Sequence, residues 1–124
     1  MRAITLGFSR ESYPAVAAGA TVQYRAKLVD QDNQPLGDLE SLTLSLVDTK
    51  TGTIVNAVND LDILNVDRGT FDDKGNLRVI LLPADTTLDT DVKRSVRSLV
   101  LKWSYSNGKQ GRHQVDFKIE ALLD

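Results

Sequence analysis

The chain predicts an all-β protein, an antiparallel β-sandwich, and three observations lead there. Residues 98–105 and 112–121 alternate apolar and polar side chains with a period of two, the mark of half-buried strands. Turn-forming clusters recur roughly every 8–12 residues, the spacing of short strands in a sandwich. No long segment carries a 3.6-residue period, so no long helix is expected.

The 124 residues make one domain, long enough to bury a working core. A content of 41% hydrophobic and 26% charged residues is ordinary for a soluble globular protein. With 15 Lys and Arg against 17 Asp and Glu, the net charge of -2 gives no drive toward nucleic acid or an anionic membrane. Residues 30–91 hold 13 acids and 4 bases, whereas residues 92–124 hold 7 bases and 3 acids. That asymmetry either makes complementary patches between copies or reflects Asp-rich turns. There is no cysteine, hence neither a disulfide nor a thiolate metal site, which fits synthesis in a reducing cytoplasm. The first ten residues hold no continuous apolar block, so a signal peptide is not expected. No run approaches the roughly 20 apolar residues of a membrane span.

Taken in order, Ile4, Leu6 and Phe8 alternate with Thr5 and Gly7 as a short strand. Pro14, which cannot donate to a ladder, helps to end it. Residues 15–20 are small and apolar, and Gly19 makes an irregular connection the expectation there. In residues 21–29, Val22, Tyr24, Ala26 and Leu28 point inward, and a turn-rich loop through Pro35 and Gly37 follows. Leu42, Leu44 and Leu46 form the next inward series, and residues 53–58 read as an extended run beyond a turn at Gly52. Residues 59–73 are the least regular, with a short strand or one helical turn around Leu61–Val66. Leu77, Val79 and Leu81 make another inward series, stopped at Pro83. Residues 87–96 are a polar crossover, partly helical by expectation. It leads to the closing hairpin, where Leu99, Leu101, Trp103 and Tyr105 face His113, Val115, Phe117 and Ile119 across an Asn107-Gly108 turn.

No catalytic residue emerges. The single histidine, His113, sits at an inward strand position without an identifiable nucleophile, and no phosphate loop or nucleophile elbow occurs. Asp30, Asp32 and Asn33 invite a calcium reading, with Asp60, Asp62, Asp89 and Asp91 as further oxygen donors. Pro35 stands where the helix–loop–helix calcium loop needs glycine, and capping of turn N–H groups is the preferred reading of these acids. The expectation is no metal and no cofactor. Trp103, Tyr105 and Tyr24 fall in inward series, which leaves Tyr13 as the exposed aromatic and gives no platform for stacking sugars or bases.

Residues 22–36, an alternating strand running into Asp30-Gln31-Asp32-Asn33-Gln34-Pro35, resemble the strand–turn signature of bacterial and phage immunoglobulin-like domains. Residues 75–86, ending in Ala84-Asp85-Thr86, look like the corresponding corner of small Ig-like structural proteins of tailed phages. Asn33 stands where the usual turn has glycine, and residues 87–92 are an added polar stretch. The resemblance covers roughly residues 20–121. It implies an Ig-like sandwich without a disulfide in residues 15–124, preceded by an N-terminal strand or arm in residues 1–14. It further implies a non-enzymatic virion protein, a capsid decoration or head–tail accessory made in the host cytoplasm. The alternative is an Ig-like ligand- or carbohydrate-binding module of a baseplate or tail tip. The implied partners are phage capsid or tail proteins and further copies of the chain, with neither nucleic acid nor membrane. Ile4, Leu6, Phe8, Arg10 and Tyr13 are the candidate partner-binding residues, because a short amphipathic strand leaves backbone groups and apolar side chains seeking partners. The competing reading folds that strand back onto its own sandwich.

Overall fold

The computed structural model describes residues 2–8, 15–30, 32, 34, 39–89, 91–105 and 108–121. It is an all-β, two-sheet sandwich with no disulfide. The strands are β1 (Arg2–Phe8), β2 (Ala15–Ala17), β3 (Val22–Val29), β4 (Leu39–Asp48), β5 (Leu61–Asp62), β6 (Gly69–Phe71), β7 (Asn76–Leu81), β8 (Arg94–Tyr105) and β9 (Gln110–Glu120). Sheet A has the order β1-β3-β7-β6, and sheet B the order β2-β9-β8-β4-β5. All pairings are antiparallel except β2 with β9.

The inward series meet as their period of two requires. Val22, Tyr24, Ala26 and Leu28 of β3 and Leu77, Val79 and Leu81 of β7 are buried on sheet A. Leu42, Leu44, Leu46, Leu99, Leu101, Phe117 and Ile119 are buried on sheet B. Each such leucine or valine removed from water contributes about 1.5–3 kcal/mol. Trp103, 2% exposed, lies against Gly111 of its cross-strand partner. A Cβ at Gly111 would come within 2.3 Å of the indole, so only glycine leaves room for the ring.

Several segments depart from their expected form. Residues 15–17 are not an irregular connection but the parallel strand β2, with Val16 buried and paired to Ile119. Residues 53–58 are not a strand: one bridge, Val47 to Ile54, and bonds from Val55 N–H to Leu46 C=O and from Leu46 N–H to Val58 C=O lay the segment along β4. Of the two forms expected around Leu61–Val66, the short strand is the one formed, as β5, and β6 follows it. The expected crossover 87–96 gives up its last residues to β8, and a 3-10 turn, Pro83–Asp85, precedes it. Val100, which lies between the inward Leu99 and Leu101, is buried as well.

Turn chemistry accounts for part of the acidic middle of the chain. Asp60, Asp67 and Asp91, with Asn56 and Asn65, hold positive φ angles that Asp and Asn tolerate better than most side chains. Asp30, Asp48, Asp62 and Asp72 each accept N–H bonds from residues two to four positions on.

Candidate binding surface

The four sheet edges are unequal. Sheet B ends in β2 and β5, three and two residues long, and sheet A ends on one side in β6, also three residues. Short edge strands blunt a sheet against unwanted pairing. The remaining edge, β1, runs for seven residues and, among the described residues, ladders with β3 alone. A register shift between Thr5 and Gly7 makes Leu6 the extra residue of a bulge, a feature that re-aims side chains. Ala3 faces the core, so Ile4 and Leu6 stand outward, 40% and 52% exposed.

Leu6 opens onto a groove of about 270 Å³ on the outer face of sheet A, lined also by Arg25, Ala26, Thr70, Asp72, Asn76, Leu77 and Arg78. The register explains its charge. Gly7, Arg25, Arg78 and Thr70 form one row across all four strands, and Ile4, Lys27 and Asn76 form another. Arg25 and Arg78 are therefore direct cross-strand partners, and like charges so placed destabilise a sheet. Both are exposed, and neither makes an ion pair among the described residues. Asp72 lies beside them but is committed to its own turn. Bonds from the Asn76 backbone and side chain hold its carboxyl below the usual range.

On the outer face of sheet B many polar side chains bond to one another. Ser41 and Ser104 hydroxyls share a 2.6 Å bond, and Ser98 donates to Asp116 at 2.6 Å. Gln114 bridges Ser98 and Asp116, while Ser45 accepts the Asp60 N–H at 2.8 Å. Lys102 and Arg112 are cross-strand partners as well, but Lys102 has Asp60 at 3.3 Å. A groove of about 420 Å³ runs over Thr43, Lys102, Gln110 and Arg112 on this face.

A third polar region closes one end of the sandwich. Asp85, with 0% exposure, accepts bonds from Asn56 Nδ2 (2.9 Å), Leu82 N–H (2.7 Å) and the Arg68 guanidinium. Arg97 donates to the carbonyls of Asp85 and Thr87, and Thr86 Oγ1 donates to Ala20 C=O at 2.8 Å. Burial lowers the pKa of Arg97 from its ordinary value, against the pull of Asp48, Asp89 and Asp85. These groups tie loops together inside the protein, and a buried charge requires such partners.

The residues singled out from sequence fare differently. Ile4 and Leu6 are exposed side by side on β1; the side chain of Phe8, and all of Arg10 and Tyr13, lie outside the described residues. His113 is half-buried, with Nε2 3.2 Å from Tyr24 Oη, and burial lowers its pKa. Trp103 Nε1 donates to Tyr105 Oη at 3.2 Å, and burial raises the pKa of that phenol. Among the described residues no three His, Asp or Glu side chains gather as a metal cluster. Asn33, Pro35 and Asn107 lie outside the described residues. Arg25 and Arg78 escaped sequence reading: each shows only as an outward cation on a strand, and their pairing depends on a register 53 positions apart.

No family model and no curated protein matches the chain. Among solved structures, CopC from Methylosinus trichosporium OB3b is similar, with 16% identity, a TM-score of 0.48, and coverage of 99% of this chain and 98% of that one. That neighbour is not a phage protein, and it overturns the tailed-phage assignment. The virion location, the capsid-decoration and baseplate roles, and the capsid, tail and assembled-copy partners fall with it. The physical reason lies in the motifs themselves. An alternating strand, an Asp-capped turn and the Asp85-Thr86 corner serve to build a sandwich, so they report architecture and not role.

Proposed function

We propose that this protein is a non-enzymatic binding domain of immunoglobulin-like topology that takes up an extended peptide segment by strand addition at β1. The finer fold reading is supported by the strand order: four strands in one sheet, the last two long strands beside β4 in the other, and the first two strands in different sheets. The observation that carries the function is the unequal edges. Three end in strands of two or three residues, while β1 offers seven with Ile4 and Leu6 exposed along it. Strand addition draws affinity from main-chain bonds and specificity from alternate side chains. In this reading residues 1–14 supply the docking strand and residues 15–124 the sandwich behind it, with Phe8, Arg10 and Tyr13 extending the contact.

The test is a fluorescent seven-residue peptide alternating threonine with valine, titrated against the intact protein while amide shifts are followed by NMR. Shift changes should cluster on β1. N-methylation of the peptide's alternate amides on the bonding edge should abolish binding. Equal binding by the N-methylated peptide, or shifts confined to sheet B, would refute strand addition.

A further inference from the structure

We infer that the Arg25–Arg78 pair is a carboxylate-recognition site, selecting docked segments that place an acidic residue opposite Gly7. This rests on the strand-addition reading and adds to it the chemistry of the partner. The cross-strand row runs Thr70, Arg78, Arg25, Gly7, and its next place outward falls on whatever strand lies against β1. Glycine contributes no side chain at that place, so the β1 side chain nearest Arg25 is the bulged Leu6, which shares the groove with it. Neighbouring strands lie about 4.8 Å apart, so the incoming backbone is roughly two spacings from that of Arg25, within the combined reach of arginine and glutamate. A guanidinium presents its donors as a planar fork that matches a carboxylate.

Two further observations point the same way. The like-charged pair is unfavourable when empty, and a docked carboxylate relieves that repulsion. Asp72, the acid of the groove lining, is held by Asn76 in its own turn. Lys27, behind Ile4 in the neighbouring row, adds positive charge to the same face. Ile4 and Leu6 meanwhile call for an apolar side chain on the same side of the docked strand. The partner is thus an extended segment with acidic and apolar residues sharing one face. The seryl and acidic groups of sheet B, already bonded to one another, provide no equivalent.

The experiment compares two seven-residue peptides, threonine on one face and Val, Glu, Val on the other, the second with glutamine in place of glutamate. Anisotropy is read with the wild-type chain and with the Arg25→Gln/Arg78→Gln variant, whose fold is checked by circular dichroism. Wild type should prefer the glutamate peptide by about tenfold, and the preference should shrink as salt rises. The double variant should bind both peptides alike, at the wild-type affinity for the glutamine peptide. Equal binding of both peptides by wild type, or a preference that survives in the variant, overturns the arginine site while strand addition stands. Binding of neither peptide overturns both. If the double variant fails to fold, Arg25→Lys/Arg78→Lys replaces it. That variant keeps the charge and loses the fork, so a preference undiminished there also counts against the site.

Discussion

The outer face of sheet A and the polar end of the sandwich both use two arginines, in opposite ways. Arg68 and Arg97 are drawn inward and surrounded by Asp85 and by loop carbonyls. Arg25 and Arg78 face each other on an open sheet without an ion pair among the described residues. The first arrangement is forced by burial, since a charge away from water needs partners. Nothing in the folded chain forces the second. The inward pair explains how the fold closes at one end; the outward pair is the one that the proposed carboxylate site uses.

The sharpest break of this contrast is at Asp85. Asp85→Ala removes the carboxylate from Arg68, Asn56 and the Leu82 N–H together, and should cost about 3–5 kcal/mol in urea unfolding. A loss below about 1 kcal/mol would mean that this end is held by something other than its charges. The opposite sign is expected on sheet A. Arg25→Thr removes like-charge repulsion and should stabilise the chain by about 0.2–1 kcal/mol at low salt, a gain that fades at high salt. Lys102→Thr on sheet B, where Asp60 answers the charge, should lose no more than about 1 kcal/mol. Should both variants move stability in the same direction, the two faces do not differ as described.

The long strands were legible because their apolar residues alternate over enough positions to set a face. Tyr24 and Leu28, Leu42 and Leu46, and Leu99 and Trp103 could be assigned inward from neighbours alone. β2, β5 and β6 were not legible, since two or three residues carry no period and their pairing is decided by distant strands. The arm-or-strand question at Ile4 and Leu6 was posed by their alternation, yet their outward aim depends on Ala3 packing inward and on the bulge at Leu6. Asp85 read only as part of a corner, because its partners Asn56 and Arg68 lie in loops that sequence does not bring together.

The parallel pairing of β2 with β9 also has a mechanical consequence. Because the two strands run the same way, tension drawn from Ala15 toward one end and from Ala121 toward the other acts along the ladder. The rungs at Val16–Ile119 and its neighbours are then loaded side by side and must yield together. Handles at Arg94 and Glu120, partners at one end of the antiparallel β8–β9 ladder, would instead load a single rung at a time. Forced unfolding from 15 and 121 should therefore need the larger force, and equal forces for the two geometries would remove β2 as the clamp. Three residues, of which Val16 is buried in the core, would thus decide how the domain bears a load.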